Sequence, residues 1–143
     1  MLDTYRVKRR IKEIHKRLKV LNDKFKPLER SEFIPDDSLN AEAERHLQIA
    51  IQACIDIANH IIASLGLNRN FETVSEVFNE LAKEHIIDGD FANIMISITG
   101  YRNVLVHGYL DVQREITYDN IQNRLPDLAQ FAKYIEKFLE KKA

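Results

Sequence analysis

An arginine, an asparagine, a histidine and a tyrosine occur within one eight-residue stretch, Arg102-Asn103-Val104-Leu105-Val106-His107-Gly108-Tyr109. Histidine exchanges protons near neutral pH, as general acid–base catalysis requires. Arginine is a permanent cation whose planar fork of donors suits a phosphate and the charge that develops when a phosphodiester is attacked. These residue types therefore favour acid–base chemistry at a phosphate group.

The apolar residues around this stretch predict the helix that carries it. They recur at the three-and-four spacing of one helix face: Phe91, Ile94, Met95, Ile98 and Leu105. We therefore expect one helix from about Asp90 to His107. Gly108 suits the left-handed position just past a helix end. His107 then lies in the last turn, where unpaired carbonyls stabilise a charged imidazole.

Helix geometry does not bring Arg102 and His107 onto the same face. Five helical positions separate them, which places them roughly 140° apart around the axis. Either the last turn unwinds, or the arginine of one chain meets the histidine of another. A purely structural interpretation also stands, in which His107 caps a helix end and Arg102 is a solvated charge. On either interpretation we expect Val104, Leu105 and Val106 to fill the core.

The pattern Arg102-x4-His107-x-Tyr109 resembles the Arg-x4-His-x-Tyr motif of the HepT toxins, which belong to the HEPN superfamily of small helical ribonucleases. The resemblance extends beyond the motif. The segment from Ala43 to Ile62 is similar to the long second helix of that family, and residues 101–112 and the amphipathic C-terminal helix also resemble it. It covers roughly residues 37–140.

The resemblance implies a metal-independent endoribonuclease, the toxin component of a type VII-like toxin–antitoxin system acting on tRNA or mRNA. His107 would be the acid–base group, Arg102 would hold the scissile phosphate, and Asn103 would orient either one. Family members are homodimers whose two motifs face one cleft. This arrangement agrees with the angular separation of Arg102 and His107.

The resemblance gives Tyr109 a different role. In the family, a minimal nucleotidyltransferase antitoxin, often called MntA, adenylylates the corresponding tyrosine. An AMP group beside His107 would block the cleft and place a negative phosphate where the substrate phosphate belongs. Unmodified, Tyr109 can stack on an RNA base. The structural alternative is a tyrosine packed over the helix end.

Two non-enzymatic functions stay open. The chain can be a non-catalytic helical subunit that binds a minimal nucleotidyltransferase. It can also be a helical adaptor without a nucleic-acid ligand, which a partner covering the basic first helix would favour.

Length and composition indicate one domain, residues 1–143, with a sizeable core. The apolar stretches are short and interrupted by charge, so we expect neither a cleavable signal nor a membrane-spanning segment. The single cysteine, Cys54, lies in an apolar helical stripe and is predicted to be a buried thiol. We expect a prokaryotic cytoplasmic protein.

Charge is distributed unevenly along this nearly neutral chain. Residues 1–30 contain eleven Lys or Arg against four Asp or Glu, and the rest contains ten against eighteen. A first helix is expected from roughly Asp3 to Phe25, and most of the basic residues lie on faces other than its apolar seam, which consists of Val7, Ile11, Ile14, Leu18 and Leu21. Arg9, Arg10 and Lys16 are candidate contacts for RNA phosphates. A solvated helix surface is the alternative interpretation.

A second helix, from about Asp37 to Leu65 and ending at Gly66, is apolar on nearly all sides, which predicts the bundle centre and a possible subunit interface. Asp56 and His60 are four residues apart and face each other along one side. Glu44, Arg45, His46 and Asn59 are its other polar candidates. Structural pairing or dimer contacts are their default roles; Asp56, Asn59 or Glu44 can instead support His107.

The remaining segments complete an all-α fold, an up-and-down bundle of about four long helices plus a short one, in a homodimer. A short helix is expected from about Glu72 to His85, with four residues facing inward: Val74, Val77, Phe78 and Leu81. Leu110 to Ile116 is expected to be a connection, and the last helix opens at Thr117 and kinks or restarts at Pro126.

Other chemistries lack their sequence patterns. There is no glycine-rich phosphate loop, His-Glu-x-x-His, Cys-x-x-Cys or serine elbow. The five histidines have no tight ligand spacing: His15, His46, His60, His85 and His107. We therefore expect neither a metal nor a cofactor.

Overall fold

In the computed structural model of the protein, residues 2–67, 70–107 and 110–142 are described, His107 by its backbone alone, and this part of the chain contains helices and no strand. The α-helices are α1 (Thr4–Val20), α2 (Arg30–Phe33), α3 (Asp37–Ser64), α4 (Val77–Lys83), α5 (Gly89–Thr99), α6 (Tyr101–His107), α7 (Leu110–Asn123) and α8 (Leu125–Lys142). The prediction of an all-α fold is confirmed.

Helix α1 begins at Asp3, whose carboxylate accepts the backbone N–H of Arg6 at 3.0 Å. A π-helical turn, Leu21–Phe25, continues it to the predicted end. The predicted apolar seam is buried throughout: Val7, Ile11, Ile14, Leu18 and Leu21. The basic residues of α1 therefore lie on its flanks and its outer face.

Helix α3 is the centre of the bundle, as its nearly uniform apolar surface predicted. The Asp36 carboxylate caps it by accepting the Leu39 N–H at 2.8 Å. At its other end Gly66 has a φ of 70°, and the Leu67 N–H reaches the Ile62 carbonyl at 3.1 Å. This backbone pattern is a Schellman C-cap, which glycine forms without strain. The predicted bounds of this helix are confirmed.

Two contacts show that α1 and α3 run antiparallel. The Arg17 guanidinium donates to Nδ1 of His46, and the backbone N–H of Asp3 donates to Nε2 of His60. Helix α3 is long and apolar enough to cross a membrane, yet more than half of its most apolar window is buried inside the bundle. Its hydropathy is accounted for by its position in the core.

The segment before α5 differs from the short helix predicted there. A 3₁₀ turn, Val74–Glu76, precedes α4, and α4 ends at Lys83, before His85. Val74 is 50% exposed, so the inward position expected for it was wrong. His85 instead follows the helix end with a φ of 58°, a left-handed conformation that is unusual for a residue with a Cβ.

The predicted single helix from Asp90 to His107 is two helices, α5 and α6, separated at Gly100. The Thr99 hydroxyl donates to the Met95 carbonyl at 2.7 Å, a side-chain bond that bends helices. The Gly100 N–H is shared between the carbonyls of Ile96 and Ser97. The break therefore has a local cause that apolar periodicity does not report. The Asp88 carboxylate caps α5 by accepting the backbone N–H of Phe91 at 2.8 Å.

The connection predicted for Leu110 to Ile116 was wrong, because these residues form the first half of α7. Contacts distant in sequence hold this polar helix. Arg114 donates to the Ile34 carbonyl at 2.8 Å and pairs with Asp37, and the Tyr118 hydroxyl donates to the Leu28 carbonyl at 3.1 Å. The predicted restart is confirmed: α8 begins at Leu125, with Pro126 as its second residue.

Candidate active site

Helix α6 carries the candidate catalytic residues. Arg102 is half-buried on it and Asn103 is exposed. His107 is its last residue, and the helical backbone continues to that point. The side chain of His107, the predicted cap Gly108 and the candidate modification site Tyr109 lie outside what the structure describes.

Arg102 and Asn103 line a cleft of about 770 Å³. Its walls come from the end of α5, from α6, from the segment around the 3₁₀ turn and from one side chain of α3. The other lining residues are Gln48, Glu72, Thr73, Val74, Ser75, Ile96, Thr99, Gly100, Leu105 and Val106. Asn103 and Val106 are exposed at this cleft, so solvent reaches it.

The Arg102 guanidinium pairs with no carboxylate in the described parts of the chain. Most other arginines of the protein are engaged: Arg10, Arg17, Arg30, Arg114 and Arg124 each have an acidic partner. A half-buried cation without a counter-ion, at the wall of a cleft, attracts anions such as a phosphate group.

Hydrogen bonds from α7 hold the motif helix, α6, in place. The Gln113 side-chain amide donates to the carbonyls of Val104 and Leu105, at 3.2 and 3.1 Å. The Tyr101 hydroxyl and the Thr117 hydroxyl lie 2.7 Å apart in the core. These bonds fix α6 at its beginning and in the turn before His107.

Glu44 lies near the base of α6, the one predicted supporting residue with electrostatic links to it. Burial raises the pKa of its carboxyl, and the charge of Arg114 partly opposes this rise. Burial also raises the pKa of Tyr101, with a smaller contribution from the charge of Glu44. Glu44 therefore interacts electrostatically with the scaffold of the motif helix.

Asp56 and Asn59 lie elsewhere on α3 and do not line the cleft of Arg102. The Asp56 carboxylate accepts a hydrogen bond from Gln52 at 2.9 Å and faces Arg10 at 3.6 Å. His60, predicted to face Asp56, instead accepts the backbone N–H of Asp3. Asp56 and His60 therefore have structural contacts, within α3 and between α3 and the first helix, and Asn59 is exposed.

The three candidate RNA contacts on α1 do not share one environment. Arg9 and Lys16 are exposed, and the Arg9 guanidinium lies 5.9 Å from the centre of the Tyr5 ring. Arg10 is partly buried against Asp56. Of these three candidates, Arg10 is paired with a carboxylate, whereas Arg9 and Lys16 have no acidic partner in the described chain.

Gln48 and Gln113 were not singled out by sequence reasoning. Gln48 reaches the cleft from α3, and Gln113 binds carbonyls eight and nine residues before it in the chain. Neither glutamine belongs to a motif or an apolar pattern that would have marked it. Within the described residues, no three His, Cys, Asp or Glu side chains are grouped as a metal site requires.

Apolar side chains are exposed around the motif. Val106 is 74% exposed, so the core position expected for it was wrong. Leu110 is 58% exposed, Val112 49% and Val74 50%. Such a group of apolar residues beside a functional cleft is typical of a surface that another protein covers.

The described part of the chain, an all-helical bundle with Arg102 at the wall of a cleft, has the fold of the HEPN toxins. The solved structure of the tri-AMPylated Shewanella oneidensis HEPN toxin in complex with MNT antitoxin matches it with a TM-score of 0.82 at 27% identity, over 92% of this chain and 97% of that one.

Sequence comparisons narrow this class. The family model described as Ribonuclease HepT-like matches residues 9–135. This match includes most of α1, which lies before the roughly 37–140 range of the resemblance noted from the sequence. The mRNA nuclease HepT of Shewanella oneidensis is 32% identical over 108 residues, which are 74% of this chain and 79% of that protein. The tRNA nuclease HepT of Aphanizomenon flos-aquae is 29% identical over 116 residues, 81% of this chain and 78% of that protein. The chain belongs to the HepT-like ribonuclease family.

Proposed function

We propose that this protein is the toxin of a toxin–antitoxin pair and cleaves RNA without a metal ion, using Arg102 and His107. The observation that carries the proposal is the position of Arg102. In a chain of the HepT-like ribonuclease family, this unpaired cation lines an open cleft on the same short helix that ends at His107. The relatives are named as mRNA and tRNA nucleases, so either RNA is a candidate substrate.

The proposed reaction is an internal transfer of the phosphodiester. The RNA 2′-oxygen attacks the adjacent phosphorus as the bond to the 5′-oxygen breaks, which leaves a 2′,3′-cyclic phosphate and a 5′-hydroxyl. His107 takes the proton of the 2′-hydroxyl and supplies one to the leaving 5′-oxygen. Arg102 stabilises the charge on the non-bridging oxygens, and the Asn103 amide orients the phosphate or the imidazole.

A homodimer is part of the proposal. The backbone of α6 stays helical as far as His107, so the positions of Arg102 and His107 remain roughly 140° apart around the axis. Two copies facing each other can place the arginine of one beside the histidine of its partner. The exposed apolar residues Val106, Leu110 and Val112 offer a surface for such contact.

Cleavage of total cellular RNA in EDTA tests the catalytic assignment. The wild type, shown by mass spectrometry to be unmodified, is compared with Arg102→Ala, His107→Ala and Lys133→Ala, an exposed cation on α8. We expect each motif variant to lose about 10²- to 10³-fold in rate, and Lys133→Ala to retain the wild-type rate.

Equal background cleavage from all four folded proteins would contradict the proposal. It would favour the second candidate, a non-catalytic helical subunit that binds a minimal nucleotidyltransferase. Light scattering on the same samples tests the dimer, with Val106→Asp and Leu110→Asp expected to shift it toward the monomer.

We also propose that a nucleotidyltransferase antitoxin silences the protein by adenylylating Tyr109. A relative was solved as a tri-AMPylated toxin bound to MNT antitoxin. Incubation with a minimal nucleotidyltransferase and ATP should add AMP to the wild type and to Tyr5→Phe, which removes a highly exposed tyrosine. Tyr109→Phe should cleave RNA but escape modification. AMP addition to that variant would place the modification elsewhere.

A further inference from the structure

The outer face of α1 carries a strip of exposed side chains that the proposed chemistry does not use. We call it the α1 strip, and it consists of Tyr5, Arg6, Arg9, Lys12 and Lys16. The tyrosine is 72% exposed, an unusual position for a large aromatic ring. From Arg6 to Lys16 the strip extends over about 15 Å of helix.

The four cations of the strip pair with no carboxylate in the described chain. Lys8 is likewise unpaired, but it lines a separate groove with Glu136 and Glu140 of α8. Three other cations of α1 have partners: Arg10 faces Asp56 at 3.6 Å, Arg17 contacts Glu13 at 2.9 Å and Lys19 contacts Asp23 at 2.9 Å. Four uncompensated positive charges on one helix face therefore attract a polyanion.

At its beginning the strip borders a groove of about 750 Å³ between α1 and α3. Tyr5, Arg6 and Arg9 line this groove, together with three carboxylates that are already engaged. Asp3 accepts the Arg6 N–H, Glu13 pairs with Arg17, and Asp56 is held by Gln52 and Arg10. The groups left to meet a ligand are the two guanidinium groups and the phenol ring.

The α1–α3 groove and the cleft of the motif lie close together along α3. Gln48 lines the motif cleft and Gln52 lines the α1–α3 groove. These residues are four apart in α3, so they lie one turn apart on neighbouring parts of the same side. A strand that leaves the motif cleft over Gln48 thus reaches the groove within one helical turn.

We propose that the α1 strip is a second RNA-binding site, which holds the single strand beyond the cleavage point. Arg6, Arg9, Lys12 and Lys16 contact phosphates, and a base stacks on Tyr5. The ring favours RNA over an acidic protein, because a polyanionic peptide needs only cations, whereas an exposed ring beside an arginine is a stacking platform for a base. The inference rests on the proposed function for its choice of RNA.

Binding of an RNA that cannot be cleaved tests the site apart from catalysis. The probe is a fluorescein-labelled single-stranded RNA 20-mer with every 2′-oxygen methylated, followed by anisotropy from low to high salt. Arg9→Gln/Lys16→Gln should weaken binding and flatten the slope of log K against log salt by about 1.4, because two phosphate contacts are lost. The matched control, Lys133→Gln/Lys137→Gln, removes two exposed charges from α8 and should leave both quantities unchanged.

Tyr5 is tested by a pair of variants. Tyr5→Ala should weaken binding between about 5-fold and about 150-fold without changing the salt slope, and Tyr5→Phe should bind as the wild type does. All strip variants should cleave a dinucleoside monophosphate at the wild-type rate, because that substrate is too short to reach α1.

Wild-type affinity and slope in Arg9→Gln/Lys16→Gln would overturn the proposal, as would an equal loss in the α8 control. Normal RNA binding together with weaker binding of a purified nucleotidyltransferase would assign the strip to a protein partner and also overturn it. If neither the wild type nor any strip variant cleaves RNA, while RNA binding still depends on the strip, the ribonuclease proposal fails and the proposal of a second RNA-binding site stands.

Discussion

The hydroxyl of Tyr101 lies 2.7 Å from the hydroxyl of Thr117, and this buried bond joins the helix of Arg102 to the helix that follows it. Thr117 also donates its proton to the Gln113 carbonyl at 2.8 Å. Because a threonine hydroxyl has one proton to give, it accepts from Tyr101, and the phenol is the donor between the two helices. The position of α6 thus depends on a hydrogen bond inside the core.

Removing the Thr117 hydroxyl should destabilise the protein more than removing the Tyr101 hydroxyl. Thr117→Val leaves the buried Tyr101 phenol without its acceptor and should lower the free energy of unfolding by about 1–3 kcal/mol. Tyr101→Phe removes the donor and leaves Thr117 bound to Gln113, so it should cost about 1 kcal/mol. Urea unfolding of both single variants and the double variant measures this; additive losses would show that the two side chains do not interact.

Gln113 is predicted to position the motif helix for catalysis. Gln113→Leu removes the amide that binds the carbonyls of Val104 and Leu105, and we expect kcat to fall about tenfold while KM changes little. Gln122→Leu is the matched control, because it removes an amide-to-carbonyl bond from the same helix, at Lys26. An equal fall of kcat in both variants would indicate a general loss of stability.

The sequence predicted those elements whose apolar pattern and caps agree. Helix α1 has a seam buried at every predicted position, and α3 has an aspartate cap at one end and Gly66 at the other. The first half of α7 has neither signal. It is helical because Arg114 and Tyr118 bind backbone carbonyls some 80–90 positions away, and such partners leave no local pattern.

The candidate site was predictable in its residue types and less so in its surroundings. Arg102 was placed on a helix by periodicity, and the structure puts it there. The division at Gly100 was missed because α5 and α6 continue the same apolar spacing across it. Gln48 reaches the cleft from α3, and only tertiary packing brings it there.

His85 is predicted to be replaceable with a gain in stability. Its φ of 58° is costly for a residue with a Cβ, whereas glycine adopts it readily. His85→Gly should raise the free energy of unfolding by about 0.5–1 kcal/mol in guanidinium titrations. The opposite exchange at Gly66, Gly66→Ala, should lower it by about 1–2 kcal/mol, although nothing lies within 4 Å of the added methyl. A loss in His85→Gly would show that the imidazole contributes more than its backbone costs.

Cys54 is predicted to react only when the protein unfolds. The thiol is fully buried in α3, and burial raises its pKa, so little thiolate is present to attack a reagent. Labelling with iodoacetamide should therefore be negligible in the native protein and should follow the global unfolding transition in urea. Rapid labelling without denaturant would reveal local opening of the central helix.

His46 should make stability depend on pH. Its pKa is lowered, first by burial and then by the charge of Arg17, whose guanidinium donates to Nδ1 at 3.2 Å. His60 is shifted in the same direction, by burial and then by Arg6. The histidines of the unfolded chain have pKa values near 6.5. Around this pH the unfolded chain therefore binds more protons than the folded protein does.

The stabilising contribution of neutral His46 is present above about pH 6.5 and is lost as the pH falls toward its folded pKa. Urea unfolding from about pH 8 to about pH 5 should show decreasing stability below about pH 7, with a shallower decrease in His46→Gln, whose amide oxygen can still accept from Arg17. Glu44 acts in the opposite direction, because its raised pKa adds stability that is lost as the pH rises. Glu44 is present in both the wild type and His46→Gln, so its contribution cancels when the two proteins are compared. An equal slope of unfolding free energy against pH in both would mean that His46 does not make stability depend on pH.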